Sequence, residues 1–306
     1  MPSNSSKKQA VVIVNPTAGR GSAGRSVPVL RELLRDTEYE FDWRFTGARG
    51  DAETMARNAA AEGTPLVVCV GGDGTLHETA NGVLGTNTTI GLIPFGTGND
   101  LARALGLYGH VKIACEAINS GIVRKIDVGV IQGAGFEGKR HFFVLSGTGF
   151  DARTAQTVNS GIRYLSGAPA YVWGSLLTLA KFEPFTLTVT TESETRTLEA
   201  MFVSVANAAT TGGGMLIAPG AVVDDGFLDL CVVGKVSKAT LIYQLTQVFS
   251  GAHTRHPAVS MLRGSQITLG ADPPQPLLID GEVIGTTPAV ISVMPKALSI
   301  LVPAPL

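Results

Sequence analysis

The chain has 306 residues, of which 44% are hydrophobic and 16% are charged, so it is long enough for one large or two ordinary domains. Its 24 basic and 25 acidic side chains give a net charge of −1, which disfavours nucleic acid as a partner because nucleic-acid binders usually have a basic excess. The amino terminus lacks a signal-peptide core and no apolar run reaches the ~18 residues of a membrane span, so we expect a cytoplasmic protein.

Short apolar strands alternate with helical segments from residue 9 to about residue 121. The predicted strands are 10–14, 41–45, 66–70 and 89–93, and the predicted helices are 27–34, 52–61, 76–84, 100–105 and 110–119. This alternation is typical of a mostly parallel sheet with helices on both faces. We therefore predict an N-terminal three-layer α/β domain over residues 1–127.

Strand-like runs joined by turns replace this alternation after residue 124. Helical patterns interrupt them only around 152–182 and 237–249. Many short strands with turn signals between them predict a C-terminal β-sandwich domain, which we place at residues 128–292. The last strands, about 293–306, could return to pair with the first domain.

Three loops follow apolar strands of the first domain: "NPTAGRG" (15–21), "GGDGT" (71–75) and "PFGTGND" (94–100). Ligands of open parallel sheets bind at the carboxyl ends of the strands, so we expect the three loops to converge on one site. Residues 19–24 also match the dinucleotide fingerprint GxGxxG. The second strand, however, ends at Thr46 and Gly47 and not in the acid that binds a ribose, which disfavours a dinucleotide site.

Two of these loops place an acid, Asp73 or Asp100, beside glycines at a strand-to-helix turn. Backbone N–H groups and helix N-termini hold phosphate oxygens there without a lysine. A carboxylate repels phosphate unless Mg²⁺ stands between them, or unless it orients water and catalytic partners. A single aspartate in such a place is more often a helix cap or a turn residue, but the pair favours a functional role.

The second half contains two further acidic motifs. The turn "VVDDGF" (222–227) is either an Asp-Gly turn or an oxygen-rich site for Mg²⁺ or Ca²⁺, and the residues leave both open. In "DGE" (280–282), Asp-Gly between apolar runs predicts a hairpin turn. Asp280 and Glu282 also share one face of a strand, which makes them candidates for the base of a hydroxyl-accepting kinase.

In this order, the motifs "VNPTAGRG", "GGDGTLHETANGV", "IPFGTGNDLARALGL", "KIDVG", "GTGFDA", "VVDDGFLDL" and "DGE" resemble the diacylglycerol-kinase catalytic-domain family, most closely its soluble bacterial lipid kinases. GGDGT alone is shared with NAD kinases and phosphofructokinases, whereas GGDGT followed by GTGND is more specific. The resemblance implies an α/β nucleotide domain of the NAD kinase and diacylglycerol kinase type, followed by a β-sandwich. It implies an ATP- and Mg²⁺-dependent lipid kinase that acts on a glycerolipid such as diacylglycerol at a membrane surface, and it leaves a homodimer open.

The resemblance also implies roles for individual residues. It assigns ATP binding to Asn15, Pro16, Gly19, Arg20, Thr46, Gly71, Gly72, Asp73, Gly74, Thr75, Glu78, Gly96, Thr97, Gly98, Asn99, Asp100, Arg103 and Asp127. Asp73 would be essential for the use of Mg²⁺–ATP, and Asp280, with Glu282 beside it, would deprotonate the lipid hydroxyl. A structural Mg²⁺ would be held by the Asp225 carboxylate and by the carbonyls of Val222 and Phe227.

Two other functions share some of these motifs. An NAD kinase-like phosphotransferase would share GGDGT, and a non-catalytic nucleotide or lipid sensor would retain the fold without turnover. The aromatic stretch 162–185, which contains Arg163 and Lys181, is consistent either with core helices or with a surface that admits an acyl chain or touches a bilayer.

Overall fold

A computed structural model describes residues 7–109, 111–161, 178–179 and 181–304, and the chain divides into two compact units. The first unit ends at Ile126 and takes up the chain again from Lys296, and the second unit is Asp127–Pro295. Most of the aromatic stretch 162–185, including Arg163, lies outside the described residues.

Parallel strands form the centre of the first unit. These strands are β1 (Lys8–Val14), β2 (Tyr39–Phe45), β3 (Leu66–Gly71) and β4 (Thr89–Pro94), in the order β4-β3-β1-β2. Every residue of β3 is buried, which explains its continuous apolar sequence. The end of the last strand, β14 (Glu282–Val302), runs parallel to β4 and pairs Ile300 with Ile90, so the chain end belongs to this unit.

Helices connect these strands, and two of them begin earlier than the sequence pattern predicts. They are α1 (Ala18–Leu33), α2 (Asp51–Ala61), α3 (Asp73–Val83), α4 (Asp100–Ala104) and α5 (Val111–Ser120). The prediction of 27–34 for α1 began late. Gly19, Arg20 and Gly21 have left-handed backbone angles, so the regular helix begins only after Gly21. The prediction of 76–84 for α3 was also late: Gly72 is extended and the helix starts at once after it, so most of the GGDGT motif is the first helical turn.

The second unit is built mainly from antiparallel strands. Its strands are the end of β5 (Ile122–Ala134), β6 (Arg140–Phe142), β7 (Leu145–Gly149), β8 (Phe185–Thr190), β9 (Thr195–Ala206), β10 (Leu228–Gly234), β11 (Val259–Gly264), β12 (Gln266–Asp272), β13 (Pro276–Ile279) and most of β14. One path of pairing runs β11-β10-β9-β7-β13-β14, while β8 joins β9 to β12 and β12 pairs with β14. Buried side chains from these strands, such as Leu187, Val203 and Leu230, form one apolar core.

The helices α6 (Phe150–Gly161) and α7 (Lys238–Gln247) accompany the strands of the second unit. Two short 3₁₀ turns, Val248–Ser250 and Ala252–Arg255, follow α7. Within the ranges that the structure describes, no helix is both long enough and apolar enough to cross a bilayer.

Candidate active site

The three glycine loops of the first unit meet backbone to backbone. A Cβ atom on Gly72 would lie 2.9 Å from the Cα of Gly96, and a Cβ on Gly96 would lie 2.6 Å from the Cα of Gly72. A Cβ on Gly19 would lie 2.5 Å from the carbonyl oxygen of Phe95. Gly19 also has a left-handed φ of 57°, which glycine adopts without strain. These positions need glycine because the third loop packs directly on the other two.

Asn15 ties the first loop to the second. Its side-chain Nδ2 donates to Thr75 Oγ1 at 3.1 Å, and its Oδ1 accepts from the Thr17 hydroxyl at 2.8 Å. The backbone N–H of Asn15 donates to the carbonyl of Val70 at 2.9 Å, at the end of β3. The first and second loops therefore meet, as predicted, and the hydrogen bond from the Asn15 amide to the buried Thr75 hydroxyl joins them.

Asp73 ties the second loop to the third. Its Oδ2 accepts the backbone N–H of Asn99 at 2.7 Å, and its Oδ1 accepts the N–H of Asp100 at 2.9 Å. Asp73 is also the first residue of α3, where a negative charge is favoured by the helix dipole. The carboxylate thus fixes the start of α4 by two charge-assisted hydrogen bonds.

The third loop is closed by Asn99. Its Oδ1 accepts the Gly96 N–H at 2.8 Å and its Nδ2 donates to the Gly96 carbonyl at 2.7 Å, while its own backbone is left-handed with φ 50°. This closed turn leaves Thr97 exposed. Arg103 Nε donates to the carbonyl of Gly98 at 3.2 Å, so a guanidinium lies against the loop. The same guanidinium lies 3.4 Å from the centre of the Tyr108 ring.

The remaining predicted residues of the first unit make mainly backbone contacts. Glu78 accepts the N–H groups of Gly50 at 3.0 Å and Ala52 at 3.2 Å, so it caps the start of α2. Thr46 donates its N–H to the carbonyl of Val14 at 2.9 Å, at the carboxyl ends of β1 and β2. Arg20 is exposed. The described contacts of Glu78 and Thr46 stabilise the backbone around the strand ends. Arg20 places a positive charge at the surface of the first loop.

Pro16, Gly71 and Gly74 complete the predicted set in this unit. A Cβ on Gly24 would lie 2.9 Å from the Pro16 carbonyl oxygen, so the start of α1 packs on the first loop. A Cβ on Gly71 would lie 2.6 Å from the Thr75 side chain, whereas Gly74 has open space around it. The exposed Gly74 lies in the first turn of α3, where N–H groups have no intrahelical acceptor. Such a helix start can hold an anion.

In the second unit, Asp280 is fixed by three consecutive backbone N–H groups. Its Oδ2 accepts from Phe143 at 2.8 Å, and its Oδ1 accepts from Val144 and Leu145 at 3.0 Å each. Its φ of 42° is left-handed, and the pair Ile279–Glu282 closes the hairpin between β13 and β14. Asp280 is therefore both the predicted turn residue and a rigidly held carboxylate. Glu282 is exposed at the start of β14, across the turn from Asp280, so the prediction that the two acids share one face of a strand was wrong.

Asp127 lies in the second unit, although the sequence grouped it with the ATP-binding loops. It is fully buried, its Oδ2 accepts the N–H of Gly226 at 2.6 Å, and its own N–H donates to the carbonyl of Val223 at 2.6 Å. It therefore holds the turn 222–227. Sequence reasoning missed Asn207, whose Nδ2 donates to the carbonyls of Asp127 and Phe143 at 2.9 Å each.

Arg263 pairs with the acid of the predicted metal turn. One oxygen of Asp225 forms an ion pair with this guanidinium, and the other accepts the N–H of Phe227 at 3.0 Å. The guanidinium lies 4.7 Å from the centre of the Phe227 ring, and its Nε lies 3.9 Å from Asp229 Oδ2. Phe227 and Val222 are both exposed.

Both oxygens of the carboxylate that was predicted to hold Mg²⁺ thus have partners in the chain, so Arg263 would compete with a metal for Asp225, and the Mg²⁺ site stays a prediction. Over the described parts of the chain, no group of three or more His, Cys, Asp or Glu side chains is placed to hold a metal ion. The sequence offered no signal for Arg263, which lies on β11, far along the chain from Asp225.

A partly buried acid, Asp151, is the second residue of α6, in the "GTGFDA" motif to which the sequence assigned no role. Burial raises the pKa of this carboxyl group to about 6. The N–H of Ala152 donates to its Oδ1 at 2.7 Å and opposes the shift. At neutral pH the group is thus ionised at a cost to the folded state.

Two family models match the chain, one after the other. The model described as "Diacylglycerol kinase catalytic domain" matches residues 9–131, and the model described as "YegS C-terminal NAD kinase beta sandwich-like domain" matches residues 145–302. These matches confirm the predicted fold class, an α/β domain followed by a β-sandwich domain.

Relatives match along almost the whole chain. A protein of Mycobacterium tuberculosis (strain H37Rv) named diacylglycerol kinase is 30% identical over 298 residues, which cover 96% of this chain and 95% of the relative. One of Bacillus subtilis (strain 168) with the same name is 28% identical and is covered to 92%. The crystal structure of a diacylglycerol kinase from Bacillus anthracis str. Sterne has the same fold, with a TM-score of 0.72, 23% identity and 97% coverage of each chain.

The family predicted from the sequence motifs is thereby confirmed, and family membership supports kinase activity. The matched domains, their order and the near-complete coverage of the relatives show that this chain belongs to the diacylglycerol-kinase catalytic-domain family.

Proposed function

We propose that this protein is an ATP- and Mg²⁺-dependent lipid kinase that transfers the γ-phosphoryl group of ATP to the free hydroxyl of diacylglycerol and so forms phosphatidic acid. The observation that carries the proposal is the junction of the GGDGT and GTGND loops through Asp73. The two motifs that this junction connects, GGDGT followed by GTGND, are the ones whose order in the sequence favoured a lipid kinase over other proteins that contain GGDGT. The names of the relatives support diacylglycerol as the acceptor.

The glycine loops are the proposed ATP site. The N–H groups at the start of α3, from Gly72 to Thr75, and those of Thr97 and Gly98 in the closed turn would hold the phosphates. Arg20 and Arg103 would add positive charge beside them. Asp73 would take no part in phosphate contact, because its oxygens hold the third loop. Mg²⁺ carried by the ATP phosphates would offset the negative charge that develops on them during transfer.

Asp280 is the proposed base. In the reaction the hydroxyl oxygen forms a bond to the γ-phosphorus, the bond from that phosphorus to the ADP oxygen breaks, and the hydroxyl proton passes to the Asp280 carboxylate. The three N–H groups that hold the carboxylate support this role, because a base must be held still to meet the attacking oxygen. Glu282 is the exposed alternative on the same hairpin.

A labelling experiment tests the proposal directly. The purified protein is incubated with γ-labelled ATP, Mg²⁺ and either diacylglycerol in mixed micelles, a total lipid extract or NAD. We expect label in phosphatidic acid and none in the dinucleotide. Label in NADP would instead support the NAD kinase-like alternative, and ATP binding without any labelled lipid would support a sensor. We also propose that the protein is cytoplasmic, that it associates peripherally with the membrane and that it forms a homodimer.

A further inference from the structure

Three large apolar side chains lie exposed on α7 and the 3₁₀ turn that follows it. Ile242 is 45% exposed, Tyr243 is 60% exposed and Phe249 is 61% exposed. Ile242 and Tyr243 are adjacent on α7, and the 3₁₀ turn that carries Phe249 packs against this helix. We call these three residues the α7 surface.

A well-anchored helix presents this surface. Leu241 and Val248 on the opposite side are buried in the core of the second unit. Ser237 caps the helix, since its Oγ accepts the N–H of Thr240 at 3.1 Å. The exposed side chains therefore do not result from a frayed helix end. Contiguous apolar surface of this kind usually marks an interaction site.

The segment of the chain that contains the α7 surface has Lys and Arg as its only residues of fixed charge. From residue 231 to residue 271 the sequence contains four basic side chains and no Asp or Glu. Lys235 and Arg263 are paired with acids from outside this segment. Lys238 and Arg255 are exposed, and the 3₁₀ turn that contains Arg255 packs against α7. No ion pair among the described residues involves Arg255.

We infer that the α7 surface docks on an anionic lipid bilayer. Tyr243, Phe249 and Ile242 would enter the boundary between headgroups and acyl chains, and Lys238 and Arg255 would meet anionic headgroups. Aromatic and aliphatic anchors flanked by Lys and Arg, without acids, match a bilayer better than a neutral apolar partner. The choice of a bilayer also rests on the proposed function, because the proposed substrate is a membrane lipid.

Vesicle sedimentation without ATP tests the docking. Full-length protein is mixed with vesicles of phosphatidylcholine alone or of phosphatidylcholine with phosphatidylglycerol. We expect the wild type to bind the anionic vesicles more tightly, and Y243S/F249S to lose about tenfold or more in affinity, because two rings no longer enter the bilayer. K238E/R255E should lose the preference for anionic vesicles. V123S, at an exposed valine of β5, is the matched control and should bind as the wild type.

The kinase assay separates this inference from the proposed function. Phosphorylation of a short-chain diacylglycerol dissolved as monomers should be unchanged in all these variants, whereas phosphorylation of diacylglycerol in anionic vesicles should fall with binding. If the wild type binds anionic vesicles as expected but phosphorylates no diacylglycerol, docking stands and the proposed function fails.

Three results would overturn the docking surface. The first is a wild type that does not bind anionic vesicles. The second is a Y243S/F249S variant that binds them as tightly as the wild type while its thermal unfolding is unchanged. The third is a dimer, measured by light scattering, that Y243S/F249S converts to a monomer with vesicle binding intact, because the surface would then join two copies of this chain.

Discussion

The Asp73 carboxylate accepts the backbone N–H of Asn99 at 2.7 Å and so fastens the second glycine loop to the third. An acid in the proposed phosphate-binding loop is therefore no contradiction, because it fixes the backbone of the third loop and would leave the anion to other N–H groups of the glycine loops. Because its other oxygen accepts from Asp100, one side chain fixes both the turn and the start of α4.

Replacing Asp73 with Asn should weaken ATP binding both with and without Mg²⁺. The amide retains one acceptor oxygen and sets an N–H donor against the second backbone N–H, so a hydrogen bond to a charged group worth about 1.5–3 kcal/mol is lost. We expect an affinity loss of about 10- to 100-fold, measured by titration calorimetry with excess Mg²⁺ or with EDTA.

Glu78→Gln is the matched control, because Glu78 lies on the same helix and its carboxylate also accepts two backbone N–H groups. This variant should lose stability at the start of α2 and keep its affinity for ATP. If D73N loses only the Mg²⁺-dependent part of ATP binding, Asp73 acts on the metal and not on the loop.

Replacing Gly72 with Ala should damage the site through packing alone. The new methyl group would lie 2.9 Å from the Cα of Gly96, a backbone atom that cannot move away cheaply. Overpacking of this kind costs about 1–3 kcal/mol of unfolding free energy, and ATP affinity should fall with it. Gly74→Ala, with open space around the same helical turn, should be neutral or stabilising in urea unfolding. Equal stabilities of G72A and G74A would contradict the loop contact.

Much of the fold was readable from the sequence, because burial leaves a direct pattern. The strand β3 is buried at every position, and its uninterrupted apolar run predicted it. The start of α1 was not readable, since Gly19 and Gly21 are left-handed and interrupt the helical spacing. The residue at which a helix begins depends on local backbone angles, and the spacing of apolar residues gives no information about these angles.

The sequence predicted which loops form the candidate site, but it did not predict the groups that the acidic side chains of the site contact. The glycine motifs predicted which loops meet, but the groups that Asp73 and Asp280 bind are backbone N–H groups, which have no sequence signature. The contact of Arg263 with Asp225 joins residues far apart in the chain, so no spacing could indicate it. Asn207 was missed for the same reason, because the carbonyls of Asp127 and Phe143 to which it donates are far from it in the chain.

Asp280→Asn should lower both turnover and stability. The neutral side chain loses the charge that three backbone N–H groups face, which we expect to cost about 2–3 kcal/mol of unfolding free energy. Loss of the proposed base should lower kcat by about 10²- to 10⁴-fold while ATP affinity is retained. Glu282→Gln, at the exposed neighbour, should change stability little and keep most activity. Near-wild-type turnover in D280N would remove Asp280 as the base.

Asp151 should make stability fall as the pH rises. Its pKa is raised by burial to about 6, so between roughly pH 4 and pH 6 the folded state binds more protons than the unfolded state, and the free energy of unfolding decreases with pH. Asp151→Asn lacks this cost. Its stability relative to the wild type should rise from about pH 4 to about pH 7 by at most about 3 kcal/mol, measured by urea unfolding.

Asp51, at the start of α2, should show the opposite sign. The N–H groups of Gly47 and Ala48 donate to its carboxylate at 2.7 and 2.8 Å and lower its pKa. Its stabilising effect is present at neutral pH and is lost as the pH falls through the lowered pKa. Asp51→Asn should therefore be less stable than the wild type at neutral pH, and the difference should vanish in acid. Parallel pH profiles for D51N and D151N would refute at least one of the two assignments.

Arg263 should make the stability of the second unit independent of Mg²⁺. The guanidinium is ion-paired with Asp225, lies near Asp229 and stacks on Phe227, so the positive charge that a metal would bring to the turn 222–227 comes from the chain itself. EDTA should leave the melting temperature of the wild type unchanged. Arg263→Met should lower the free energy of unfolding by about 1–2 kcal/mol, because Asp225 and Asp229 then lose their shared cation.

Added Mg²⁺ should restore part of that loss in R263M, since Asp225 then has an oxygen available for a metal beside the carbonyls of the turn. R263M/D225N is the control, and Mg²⁺ should not change its melting temperature. A wild type that melts at a lower temperature in EDTA would show instead that the turn binds a metal in the presence of Arg263. The intramolecular cation would then be an addition to the metal and not its replacement.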